Sequence, residues 1–434
     1  MVPAIIISIM TCLLLICSIL FFPKIKIKKV EINSYWIVCL IGAFLILIFN
    51  SVTISETING LFSDSVINPI KILLLFFSMT FLSIFLDEVG LFQFLATVLI
   101  GKCRANQKTL FLLLYIMVAI LTIFTSNDIV ILTFTPFICY FSKNAKINPI
   151  PYLVAEFAAA NTYSMILVIG NPTNIYLATS LGIDFISYFK VMAVPTLICG
   201  LIQLGIMLLL FRKSLNVEIF MDEELFKIKS KLDLTFGLGH LLVCLVLLIV
   251  SSYWNLEMWI ICLICAFSLM ICIVISHILR HKKLNILLYT SQRLPFNLIP
   301  FVLSMFVIVL ALNKQGVTEY ISSFFGETNT ILKYGVSSFF ASNLINNIPM
   351  SVLFSNIISS SSSLIQLKAC YSTIIGSNLG AFLTPIGALA GIMFTDLVHK
   401  QNISFSFLSF IKYGVLISLP TLIVALSVLS LFVK

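Results

Sequence analysis

Apolar runs of about 20 residues, enough to cross a bilayer as a helix, recur along most of this chain. In the first half they cover Val2–Phe22, about Tyr35–Asn50, Lys71–Leu86 and Phe185–Phe211. In the second half they cover Thr235–Ser252, Met258–His277, Asn297–Asn313 and Ile403–Val433. Two shorter stretches, Asp87–Ile100 and Val317–Phe325, mix apolar and polar positions at helical spacing and read as helices lying at the membrane surface.

Two polar-rich stretches, Phe124–Asn174 and Phe340–Gly391, interrupt this regime with Asn, Ser, Thr and one Asp. Polar side chains at membrane depth are costly and face a cavity or a pathway. Each stretch begins with two arms around a polar tip. The first return arm, Ile129–Phe141, has 13 residues. At 1.5 Å per residue it spans about 20 Å, short of a core of about 30 Å. This predicts a re-entrant hairpin, and the arms Thr330–Ala341 and Ile348–Ile358 predict a second. A long interrupted element follows each hairpin. Pro149–Leu181 is broken at Gly170-Asn171-Pro172, and Leu367–Val398 is broken over Gly376–Gly387. Pro lacks an N–H and Gly favours non-helical angles, so a helix does not run on unchanged there. Gly376/Gly380 and Gly387/Gly391 also carry the small-xxx-small spacing of close helix packing.

The two stretches repeat one plan. Ser126-Asn127 recurs as Ser342-Asn343, 216 residues later, and Asn161 and Gly170 recur as Asn378 and Gly387. Each half crosses the membrane five times by this reading, an odd number that inverts one half against the other. The expected fold is an all-α polytopic membrane protein with two inverted repeats, about 10 spans, two re-entrant hairpins and two broken helices. Residues 1–212 form the first repeat, 213–233 a cytoplasmic linker with Glu223 and Lys227 at i,i+4, and 234–434 the second repeat.

Composition agrees. The chain is 60% hydrophobic and 10% charged over 434 residues, with a mean hydropathy of +1.13, which no soluble core absorbs. The first run has no basic residue before it and no small-residue cleavage site after it, so it reads as a retained span. The net charge of +9 reflects basic loops rather than nucleic-acid binding. With the loop after the first span inside, 20 of the 26 Lys and Arg fall on the cytoplasmic face. That places both termini outside a cell membrane. The 11 Cys are scattered through apolar runs without metal-ligand spacing.

The candidate chemistry lies at the tips and breaks. Ser126, Asn127, Ser342, Asn343, Asn346 and Asn347 offer amides and hydroxyls for an oxygen-rich solute or a sodium ion, or cap the arms. Asn161, Thr162, Asn171, Thr173, Asn174, Asn378 and Thr384 flank the breaks, where Gly170, Pro172, Pro385 and Gly387 free backbone groups. Asp128 and Glu156 are acids at membrane depth. Burial there favours the neutral form unless the acid is paired, which makes both candidates to carry a coupling proton. No phosphate-binding GxxxxGK[ST] and no nucleophile–base pair occurs, so the chain reads as a carrier, not an enzyme. No cofactor is expected, only a coupling proton or sodium ion.

SNDIVILTFTP and ANTYSMILVIGNPTNIYLA resemble the ion-transporter superfamily, in particular its arsenite permeases and their sodium–proton-exchanger relatives, alongside the divalent-anion–sodium symporters. SNLINNIPM and SNLGAFLTPIG resemble that superfamily's second-half motifs. The resemblance implies two inverted halves, an often homodimeric scaffold, and a transport part carrying the hairpins. It also implies that Asn127, Asn161, Asn343 and Asn378 surround substrate or ions. Carboxylate carriers tend to read Ser-Asn-Thr at each tip. Here the tips read Ser-Asn-Asp and Ser-Asn-Leu. The added acid would repel a dianion but not a neutral solute such as protonated arsenite. The expectation is proton- or ion-coupled efflux of arsenite or antimonite. The alternative is sodium–proton exchange or sodium-coupled uptake of a carboxylate or sulfate. The partners are a small inorganic or organic solute and the bilayer, while attachment of a soluble ATPase subunit stays open.

Overall fold

Polar caps set the ends of the apolar helices. The computed structural model describes residues 2–22, 24–27, 30–62, 68–102, 106–216, 228–254 and 256–433. In the first half the helices are α1 (Val2–Phe21), α2 (Ser34–Ile48), α3 (Ile54–Phe62), α4 (Pro69–Val89), α5 (Leu91–Lys102), α6 (Gln107–Phe124), α7 (Asn127–Asn144), α8 (Ile150–Tyr163), α9 (Pro172–Thr179) and α10 (Phe185–Leu210). In the second they are α11 (Lys231–Trp254), α12 (Met258–Leu279), α13 (Asn285–Gln292), α14 (Leu298–Lys314), α15 (Val317–Phe325), α16 (Thr330–Ile345), α17 (Asn347–Ser359), α18 (Ser363–Gly380), α19 (Leu389–Lys400) and α20 (Phe407–Phe432). The Asn68 side chain accepts from the Ile70 and Lys71 amides and Pro69 opens α4, which ends at Gly90 with φ 94°. Asp184 caps α10 in the same way.

Among the described residues, α4, α6, α10, α11, α12 and α20 are long and apolar enough to cross a membrane, and α14 with α15, bent by 75°, makes a seventh. Large apolar side chains point outward from several of these helices, including Leu201, Leu242, Ile264 and Ile423, each at least 60% exposed. Such faces are unfavourable in water and suit lipid. The opposite holds at the centre. Every residue from Pro151 to Tyr163 of α8 and from Ala369 to Gly380 of α18 is buried, the mark of helices enclosed by other helices.

The packing recurs with the halves exchanged. Helix α2 lies on α14 and α12 on α4, while α7 lies on α19 and α17 on α9. Within each half, α6 packs on α8 and α16 on α18. The α16–α18 pair is close because Gly376 and Gly380 of α18 meet the α16 backbone without side chains. A Cβ on Gly380 would sit 2.5 Å from the Phe339 carbonyl oxygen.

Several elements depart from the sequence reading. The basic loop after the first span forms an antiparallel pair of strands, β1 (Lys24–Ile27) and β2 (Val30–Asn33), so among the described residues the regular structure is helical apart from this strand pair. Asp87 and Glu88 close α4 rather than opening the surface helix. The first return arm, α7, has 18 residues because the helix starts at Asn127 and Asp128 and continues through Ser142, Lys143 and Asn144. It is about 27 Å long, so the shortness expected of it is absent. The second return arm, α17, has 13 residues. The second break begins at Ala381, after α18 has carried its helix through Gly376 and Gly380. Residues 217–227 of the expected linker, with Glu223 and Lys227, lie outside the described residues.

Candidate functional site

The first arm pair meets at Thr125 and Ser126, neither of them helical, with Ser126 extended. Ser126 sits at the N-cap of α7 without making the side-chain capping bond. Its hydroxyl is buried and has no partner, and neither has the side-chain carbonyl of Asn127. The Asn127 amide donates to Asn161 Oδ1 at 3.3 Å. Asp128 follows in the first turn of α7. It lines a cavity, with no hydrogen bond or ion pair to any described residue. The hydroxyl of the buried Thr162 is also unpartnered.

The second arm pair breaks one helical turn later than the repeat predicts. Helix α16 runs through Leu344 and Ile345, which leaves Ser342 and Asn343 inside its last turn. The residues that stand to α17 as Ser126 and Asn127 stand to α7 are Asn346 and Asn347. Asn346 holds φ 70° and ψ 153°, a strained conformation for a residue with a Cβ. Its amide donates to the Ile386 carbonyl at 2.9 Å, and the Asn347 amide N–H donates to the Gly387 carbonyl at 3.0 Å. Asn343 stitches the same junction. It donates to the Gly380 carbonyl at 2.9 Å and accepts from the N–H and hydroxyl of Thr384 at 3.0 and 2.7 Å. Ser342 bonds back to the Phe339 carbonyl at 2.9 Å. Gly387 is needed there, since a Cβ would lie 2.7 Å from Asn343 Oδ1. One polar atom stays open at this tip, the Asn347 side-chain carbonyl.

The two broken elements meet at Asn378. Its Oδ1 accepts from Asn171 at 2.8 Å and from Ser164 at 3.1 Å. Its amide donates to Asn174 Oδ1 at 2.7 Å and to the Ile374 carbonyl at 2.8 Å. Asn171 also caps α9 through the Thr173 N–H and hydroxyl, each at 3.1 Å. Gly170 fits against the Ser164 backbone where a Cβ would collide, and Pro172 opens α9. Ser164 donates to the Asn161 carbonyl as well. A polar route therefore runs from Asn127 through Asn161 and Ser164 to Asn378, and along α18 to Gly380 and Asn343. Glu156 lies apart from the cavity. It is fully buried, and Thr135 Oγ1 lies 3.0 and 3.1 Å from its two oxygens.

The cavity that Asp128 lines has a volume of about 550 Å³. Of the residues singled out in the sequence, Ser126, Asp128 and Pro385 line it. Asn161, Asn171, Asn174 and Asn378 are buried behind it in the crossing. The rest of the wall escaped the sequence reading. Tyr35, Phe76 and Leu132 make apolar surface, and Lys24, Arg293, Asp396 and His399 bring charge. Lys24 pairs with Asp396 at 3.0 Å, and Arg293 pairs with Asp87 at 2.7 Å and Glu88 at 2.6 Å. Only the opposite charges at distant loop ends hinted at these pairs. Among the described residues no three His, Cys, Asp or Glu gather as a metal site. Cys244 and Cys262 approach to 3.8 Å between α11 and α12, away from the cavity.

The sequence profile of the citrate transporter family matches residues 27–370. The chain is 27% identical to the arsenical pump membrane protein of Escherichia coli (strain K12) over 376 residues, 82% of this chain and 85% of that protein. Its counterpart in Yersinia enterocolitica is 26% identical over 377 residues, with the same coverage. The crystal structure of the Alcanivorax borkumensis YdaH transporter superposes on 99% of this chain and 98% of its own, with a TM-score of 0.57 at 13% identity. That likeness is one of fold.

Proposed function

Because the chain belongs to the citrate transporter family, and is thus a multi-pass membrane carrier of small solutes, we propose that it exports arsenite or antimonite by secondary active transport coupled to an ion. The observation that carries this reading is the composition of the cavity floor. An uncharged group stands open at Ser126, with the open Asn127 carbonyl next to it in sequence, beside one acid, Asp128, that no described cation neutralises. A neutral trihydroxyl solute can donate to such acceptors without a compensating charge. Asp128, the acid of the cavity wall that no described cation pairs, is then the group that takes and releases the coupling ion. Similarity to the arsenical pump membrane proteins, at 26–27% identity over 82% of the chain, supports the same substrate class.

The exchanged packing of the halves supports two inverted repeats, residues 1–212 and 234–434, joined by a cytoplasmic linker at 213–233. In this reading about ten crossings leave both termini outside. Lys24, Arg293 and His399 rim a cavity open to the cytoplasm, and the Asn378 crossing is the fixed joint around which access alternates. Glu156, held by Thr135, is a second proton carrier at the α7–α8 interface. The reading is tested by expression in a host stripped of its own arsenite exporters. Tolerance should appear with the intact chain and vanish with Asp128→Asn at equal membrane abundance. Equal tolerance with and without the chain removes arsenite from the proposal.

The description of the matched family, a citrate transporter, favours a second reading, transport of a carboxylate, here taken as sodium-coupled uptake. Lys24 and Arg293 would then greet the anion. Sodium-dependent citrate accumulation without arsenite tolerance would select it.

A further inference from the structure

We propose that the cavity beside α7 also binds amphipathic organic monocations, with the cationic head against Asp128 and the apolar body along Tyr35, Phe76, Leu132, Leu298 and Met393. This goes beyond arsenite export and does not rest on it. At about 550 Å³ the cavity falls within the range of about 300–1,000 Å³ that takes drug-sized molecules. A solute of a few heavy atoms leaves most of that space and most of its apolar wall unused.

The charges around the cavity decide the sign of the ligand. Five ionisable side chains other than Tyr35 line it, namely Lys24, Asp128, Arg293, Asp396 and His399. Asp396 already holds Lys24 and Lys400, each at 3.0 Å. Arg293 faces two carboxylates, Asp87 and Glu88, and Glu88 also meets Lys229 at 3.9 Å, so that cluster is balanced and offers no free positive charge. His399 is exposed at the rim. An organic anion would have to displace carboxylates from Lys24 and Arg293. A cation finds Asp128 without a competitor, next to the open Ser126 hydroxyl. The rings of Tyr35 and Phe76 in the same wall suit a cation further, because aromatic faces attract positive charge.

Tetraphenylphosphonium and its isosteric anion tetraphenylborate test this directly. Equilibrium binding of each is measured on the full-length protein purified into lipid nanodiscs. The phosphonium should bind saturably at one per chain, and the borate should show no saturable component. Asp128→Asn should weaken phosphonium binding at least about tenfold, as loss of a charged partner in a partly buried site does. Leu132→Trp, which fills the apolar wall and leaves the acid in place, should weaken it too and decides the matter if the first variant fails to fold. Equal binding of the two ions, no saturable phosphonium binding, or a Leu132→Trp variant that binds as the parent does would overturn the proposal. Arsenite tolerance is scored separately, so either property can fail with the other intact.

Discussion

Replacing Asn378 with Ala separates the joint of the molecule from its binding groups. The change removes three interhelical hydrogen bonds, to Ser164, Asn171 and Asn174. Interhelical bonds in membrane proteins average about 0.6 kcal/mol each, which sets a floor near 2 kcal/mol. Ser164 keeps its bond to the Asn161 carbonyl, but the Asn171 amide and Asn174 Oδ1 lose the one partner each has here. Two buried groups left open cost about 1–3 kcal/mol apiece, so the total is about 2–6 kcal/mol. Asn127→Ala is the contrast. It removes one long bond of 3.3 Å to Asn161 and a carbonyl that was already without a partner. It leaves one buried acceptor, Asn161 Oδ1, open, so its cost should be about 1–3 kcal/mol, half that of Asn378→Ala, while arsenite tolerance is lost. Thermal unfolding in detergent, read by size-exclusion recovery, should place Asn378→Ala several degrees below the parent and Asn127→Ala between the two. Equal melting of Asn378→Ala and the parent would refute the joint. A collapse of Asn127→Ala would refute the assignment of Asn127 to the site.

Gly376→Ala drives a Cβ into the Gly335 backbone and Ser338 and should cost about 1–3 kcal/mol of overpacking. Gly239→Ala, with open space around it, should stabilise α11 by about 0.4–1 kcal/mol, and the two melting shifts should have opposite signs. Asn346→Ala keeps the φ of 70° that Asn346→Gly accommodates, so the Ala variant should be less stable by about 1–2 kcal/mol in the same assay. Thr135→Val strips Glu156 of its hydroxyl donor and should cost about 1–3 kcal/mol. Glu156→Gln, which still accepts from Thr135, should cost less.

The breaks were legible because their chemistry is local. Gly170-Asn171-Pro172 cannot continue a helix, and Asn161 and Asn378 each stand third from the end of their helices, α8 and α18. The hairpin tips were half legible. Ser342-Asn343 copies Ser126-Asn127 in sequence, but Leu344 and Ile345 prolong α16, and tertiary bonds to Gly380, Thr384, Ile386 and Gly387 fix where the turn falls. No local pattern encodes those partners. The strands over Lys24–Asn33 had a visible signal, the alternation Lys-Ile-Lys-Ile, which the basic charge of the loop obscured. The cavity wall was beyond reach, because Tyr35, Arg293 and Asp396 are brought to Asp128 from distant segments by helix packing.

Arsenite flux into sealed proteoliposomes, with proton and sodium gradients imposed one at a time, tests the central claim most directly. The intact protein should accumulate arsenite under one of the two gradients, and Asp128→Asn should not. Flux that ignores both gradients, or that survives Asp128→Asn unchanged, would contradict a carrier coupled through that acid.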